Sequence, residues 1–171
     1  RLAAGETLLA FVLTINPMPA STITANGPIT FCQGGSVMLT ANSGNSYLWS
    51  NGATTQSITV STSGSFSVTV NHPSGCSSTS PATVVTVNSI PATTITANGP
   101  TTFCAGNTVI LTATAGSSYL WSNGATTQSI TVGTSGSFTV TVTYANGCVS
   151  ISPATVVSVS PAPVVSISAS P

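Results

Sequence analysis

Residues 19–90 and 91–162 of this 171-residue chain are one 72-residue unit written twice without a gap, and 51 of the 72 aligned positions are identical. The stretch from Tyr47 to Val60 returns intact from Tyr119 to Val132. Whatever folds one copy must therefore fold the other, so the chain is an array of small modules. Arrays of this period more often hold, span or display than catalyse.

The register continues past both ends. Shifted by one repeat, Ala10–Asn16 falls on Ala82–Asn88, and Val165–Ala169 falls on Thr93–Ala97. Residues 1–18 read as the last strand of a preceding module, and 163–171 as the first strand of a following one. The apolar stretch after Glu6 has the look of a secretory or pilin-type leader. A lone Arg1, the lack of a clean small-residue cleavage site and the repeat alignment favour a mature or internal segment instead. Leu8-Leu9-Ala10-Phe11 is apolar on both faces, as suits a strand buried on both sides. That strand completes either a covalent neighbour or, by strand addition, another subunit.

Composition removes most function classes. Arg1 and Glu6 are the only charged residues in the chain, where an average protein carries about a quarter. Without further carboxylates there is no general acid–base pair, no glycosidase dyad and no oxygen cage for calcium or magnesium. Only Ser and Thr remain as nucleophiles, with nothing to activate them, so the chain reads as a non-enzyme with no cofactor. A neutral surface also argues against nucleic acid, whose binding displaces counterions with cationic groups. Mean hydropathy is positive, at +0.46, yet the longest apolar run, Leu8–Leu13, falls far short of the roughly 20 residues needed to span a bilayer. The hydropathy comes from Val, Ile and Ala alternating with Thr and Ser.

Within each unit the apolar residues alternate in short runs, the signature of half-buried strands. In the first unit strands are predicted at Thr22–Ala25, Ser36–Ala41, Ser46–Ser50, Gln56–Val60, Ser65–Val70 and Ala82–Asn88. Asn51-Gly52 supplies residues tolerant of positive φ and is expected to close a tight hairpin after the Trp strand. No stretch has helical periodicity, and strands this short with turns this frequent predict an all-β fold of β-sandwich modules. So small a sandwich has little interior, so Trp49 and Phe66, with Trp121 and Phe138 in the second copy, are expected to anchor the cores. The alternative for the two tryptophans is an exposed sugar-stacking platform. His72 is matched by Tyr144, which points to an exposed loop residue rather than a catalytic or metal-binding one.

Cys32, Cys76, Cys104 and Cys148 occupy equivalent places in the two copies. One pair per module, Cys32–Cys76 and Cys104–Cys148, respects the repeat, and closing such a loop would stabilise a module by about 4 kcal/mol. The alternatives are buried free thiols and a zinc site, the latter disfavoured by the absence of Cys-x-x-Cys and of nearby His. A disulfide implies an oxidising, extracytoplasmic location.

The run Tyr47-Leu48-Trp49-Ser50-Asn51-Gly52-Ala53-Thr54-Thr55-Gln56-Ser57-Ile58, followed by Gly64–Val70 and Gly75-Cys76-Ser77, resembles the PKD/immunoglobulin-like repeats of very large secreted and surface proteins of Bacteroidota, including gliding-motility-type adhesins. The resemblance spans 19–162. It implies tandem Ig-like/PKD-like sandwiches exported to the cell surface, often by the type IX route, with no enzymatic residues. Two features depart from that pattern: the acidic residues common in such repeats are missing, and none of these residues forms a C-terminal sorting domain.

The function these features predict is a structural segment of an extracellular fibre, stalk or surface adhesin. A short linker with a fixed proline, Ser89-Ile90-Pro91-Ala92, favours a semi-rigid rod. Edge strands without Lys, on a surface without net charge, favour assembly with copies of itself into filaments. The alternative is a ligand- or carbohydrate-binding accessory module of a secreted protein.

Overall fold

The computed structural model describes residues 19–73 and 75–162. The strands expected in 1–18 and 163–171 lie outside them. The described residues are all-β. In the first repeat the strands are Ile23–Ala25 (β1), Thr30–Cys32 (β2), Val37–Ala41 (β3), Ser46–Trp49 (β4), Ser57–Val60 (β5), Gly64–Phe66 (β6), Val68–Asn71 (β7), Ser77–Thr79 (β8) and Thr83–Asn88 (β9). The second repeat runs through the same series: Ile95–Ala97 (β10), Thr102–Cys104 (β11), Val109–Ala113 (β12), Ser118–Trp121 (β13), Ser129–Val132 (β14), Gly136–Phe138 (β15), Val140–Thr143 (β16), Val149–Ile151 (β17) and Thr155–Ser160 (β18).

Each repeat is a two-layer sandwich. One layer is β1-β3-β5 and its counterpart β10-β12-β14, antiparallel throughout. The other layer comes in two pieces, β4-β7-β8 and β2-β9-β6, repeated as β13-β16-β17 and β11-β18-β15. In the second repeat a single buried cluster draws Val109, Leu111, Ile130 and Val132 from the first layer and Trp121, Phe138, Val140, Val142 and Val157 from the other. Strand alternation places these side chains inward and their neighbours outward. Trp49 and Trp121 are each 2% exposed, and each indole Nε1 donates to a backbone carbonyl, of Thr55 and Thr127 respectively, at 2.8 Å. The buried ring thus has its one polar atom satisfied. Neither indole is a sugar-stacking platform. Phe138 is buried and Phe66 half-buried.

One break in each repeat divides the second layer. Where the β7 and β8 ladder should continue, the Ser80 side chain takes over: its Oγ accepts the Val68 amide at 3.1 Å, while its own amide donates to the Val68 carbonyl at 2.9 Å. Pro81 then follows, with no amide to donate. Ser152 repeats the arrangement with Val140. Another exchange occurs at Asn26, whose amide donates to the Met38 carbonyl at 3.0 Å and whose Oδ1 accepts the Met38 amide at 2.8 Å. The side chain stands in for one residue of ladder, and Gly27-Pro28 then carries the chain from the first layer to the second.

The turn at Asn51-Gly52 differs from the expected hairpin. Gly52 has φ 86° and its amide donates to the Trp49 carbonyl at 2.9 Å. However, β4 pairs with β7, and β5 with β3. The turn hands the chain from one layer to the other, because an alternating strand with a buried tryptophan already has its sheet partner further along the sequence.

The chain divides into two compact units, the first formed by residues 19–29 and 36–86, the second by 30–35 and 87–162 among those described.

Candidate functional site

The cysteines depart from the expected one pair per module. Cys32 is bonded to Cys148, with Cα atoms 5.7 Å apart at a sequence separation of 116, and Cys76 and Cys104 are free thiols. The second repeat supplies the physical reason. Cys104 pairs in register with Ser160, the last residue of β18, whereas Cys148 immediately precedes β17, which leads into β18. The two cysteines therefore lie toward opposite ends of the segment that runs through β17 and β18, whose nine strand residues span roughly 30 Å at strand rise, and a disulfide needs Cα atoms within about 7 Å. Pairing that advances by one repeat is as faithful to the 72-residue register as pairing within it.

The bonded pair lies in the second unit within a compact set of polar contacts centred on Asn146. Its Nδ2 donates to the Ser89 carbonyl at 2.9 Å, its Oδ1 accepts the Cys148 amide at 3.1 Å, and its backbone carbonyl accepts the Asn88 Nδ2 at 3.2 Å. The Gln33 amide donates to the Asn88 carbonyl at 2.9 Å, which ties the residue after Cys32 to the same place. Gly147, at φ 79°, lets the turn close so that Tyr144 donates its amide to the Cys148 carbonyl at 2.8 Å. Cys148 is 0% exposed. Chemically this is a clasp: a covalent bond inside a shell of amide hydrogen bonds, joining one cysteine from each repeat.

A second polar cluster occupies the corresponding place in the first unit. His72 is 5% exposed, not an exposed loop residue. Its Nε2 lies 3.3 Å from the Ser78 hydroxyl, which is hydrogen-bonded to the buried Ser21 hydroxyl; Ser21 also donates to the Ser78 carbonyl at 2.8 Å. In the second repeat the longer Tyr144 makes the connection directly, its hydroxyl 2.7 Å from that of Thr93. Both arrangements fasten the segment entering a repeat to its β7–β8 or β16–β17 turn. Among the described residues no three of His, Cys, Asp and Glu are grouped as metal ligands, every buried side-chain polar atom has a hydrogen-bond partner, and no helix is long and apolar enough to cross a membrane.

Sequence reasoning singled out the four cysteines but missed Asn88, Asn146, Thr93 and Ser21. The usable signal lay in the positions where the copies disagree: Asn88 against Ser160, Asn146 against Ser74, Tyr144 against His72.

No family model matches the chain, and no curated protein matches it. Among solved structures it is similar to murine CEACAM1b, at 11% identity and TM-score 0.40 over 81% of this chain and 99% of that one. It is also similar to fibronectin(III)-like modules of Clostridium thermocellum CbhA, at 14% identity and TM-score 0.40 over 81% and 93%. A chain from the mouse coronavirus receptor-binding domain in complex with its murine receptor matches at 11% identity and TM-score 0.42 over 81% and 99%. The β-sandwich assignment rests on the strand pairing and the two-sided core described above.

Proposed function

We propose that this chain is a non-enzymatic structural segment of an extracellular or cell-surface fibre, stalk or adhesin, built from tandem Ig-like modules of PKD-like type that assemble with copies of themselves. The observation that carries this reading is the Cys32–Cys148 bond. A disulfide that steps from one repeat to the next serves a chain that must resist being drawn out along its length, and it belongs in an oxidising compartment. With Arg1 and Glu6 as the only charges, association between such segments rests on hydroxyl and backbone contacts, which salt screens little.

Single-molecule pulling tests the mechanical part. With the disulfide intact, the residues between Cys32 and Cys148 are shielded from force, so reductant should lengthen the unfolding contour. Equal lengths with and without reductant would refute it. Electron microscopy of the native material tests the assembly part: filaments with module-sized beading support it, and isolated particles at high concentration and low salt oppose it.

A further inference from the structure

The two free thiols are the unmatched halves of the bond the chain already contains. Cys104 is the repeat equivalent of Cys32, and Cys76 the equivalent of Cys148. Cys32 and Cys148 are joined; Cys104 is exposed and Cys76 half-exposed. Each repeat thus carries one cysteine at the end of β2 or β11 and one in the turn before β8 or β17, and the observed bond joins the first kind in one repeat to the second kind in the next. Applied once more in each direction, the same step requires a turn cysteine for Cys104 and a strand-end cysteine for Cys76.

We propose that Cys104 of one copy of this chain forms a disulfide with Cys76 of a second copy, linking copies head to tail. The inference rests on the structural reading above and specifies the covalent joint that reading lacks. The contact is heterologous, so it propagates into an open series rather than closing as a symmetric dimer. The chemistry requires a disulfide oxidant, either a low-molecular-weight disulfide or a dithiol oxidoreductase in its oxidised form. The Cys104 thiolate attacks one sulfur of that disulfide and expels the other as a thiolate. The Cys76 thiolate of the second copy then attacks the Cys104 sulfur of the mixed disulfide, releasing the second oxidant sulfur. One S–S bond is made and one is broken; two electrons pass to the oxidant, and the two protein protons end on its thiols.

The backbone part of the clasp recurs on each side of this joint: the Ala105 amide donates to the Ser160 carbonyl at 2.8 Å and the His72 amide to the Cys76 carbonyl at 2.8 Å. Its two asparagines do not recur, since Ser160 is the repeat equivalent of Asn88 and Ser74 that of Asn146. The joint between copies therefore depends on its disulfide, and reductant should separate them.

The test uses the full chain, oxidised with glutathione disulfide and resolved without reductant, beside C104S and C76S. Wild type should shift to a ladder in steps of the 16.8 kDa chain mass, and reductant should collapse it. Neither variant alone should extend beyond a single chain, whereas a mixture of the two should give a linked dimer in which peptide mapping finds Cys104 joined to Cys76. The inference is overturned if each variant alone dimerises as readily as the mixture, if mapping finds Cys76 joined to Cys104 within one chain, or if no ladder forms while Cys32–Cys148 does. Filaments seen by microscopy with no ladder would overturn this joint while sparing the structural reading; a ladder whose products never form filaments would do the reverse.

Discussion

The hydroxyl of Ser80 accepts the backbone amide of Val68 at 3.1 Å, so a side chain supplies the acceptor that a neighbouring strand would ordinarily provide. Val68 is fully buried, which leaves its amide no water to turn to. Ser80→Ala should cost about 1–3 kcal/mol, the range for a buried donor left unpaired. Urea denaturation would read this as a lower midpoint with unchanged slope, and Ser152→Ala should act likewise through Val140.

Glycine is required at position 44 for space. A Cβ there would run into the Val70 side chain and the Asn71 carbonyl oxygen, while the Gly44 amide and carbonyl are both held by the Tyr47 hydroxyl, at 3.0 and 3.2 Å. Gly44→Ala should destabilise by about 1–3 kcal/mol, as overpacking does. Gly27→Ala meets nothing within 4 Å and should stay within about 0.5 kcal/mol of wild type. Thermal melts of the pair check the contrast.

Removing the clasp should be costly and removing the free thiols cheap. A loop spanning 116 residues of sequence corresponds to about 5 kcal/mol of denatured-state entropy. Cys148→Ser should show much of that loss in chemical denaturation, and reductant should bring wild type to the same curve. Cys104→Ser, measured on the single chain, should leave the curve in place.

The Tyr144 hydroxyl bonds to Thr93, which is itself buried. Tyr144→Phe strips that partner and should cost about 1–3 kcal/mol. Adding Thr93→Val should recover part of the loss, because removing both partners of a buried hydrogen bond is milder than removing one. A double-mutant cycle measured by denaturation checks the sign of the coupling.

Much of the fold could be read in the sequence because half-buried strands alternate. Val37-Met38-Leu39-Thr40-Ala41 and Ser46-Tyr47-Leu48-Trp49 announce both their type and their inward face, and the burial of Val37, Leu39, Ala41 and Trp49 follows that alternation. Thr30–Cys32 and Ser77–Thr79 are three residues each, too short for a period of two to register. Beside them Asn26 and Ser80 move backbone pairing onto side chains, a substitution no hydrophobic pattern records. His72 looked exposed because polar residues surround it in sequence; it is buried beside Ser78, whose hydroxyl is bonded in turn to that of Ser21, a residue distant in the chain. The cysteine pairing was hidden for a different reason. Repeat symmetry constrains which kinds of position join, but it leaves open whether the join stays within a repeat or steps to the next, and only the direction of the last strand decides.

A bond that steps by one repeat changes what kinds of genetic change such a sequence tolerates. Duplicating or deleting one 72-residue unit within a longer series would leave every interior cysteine facing a complementary one, since each unit brings one half of the joint on either side and takes both away with it. Removing only part of a unit, with one of its cysteines, would strand a thiol in the middle of the series. The length of such a polymer is thus free to drift by recombination between equivalent positions of two repeats, while a change that is not a whole number of repeats breaks the pairing.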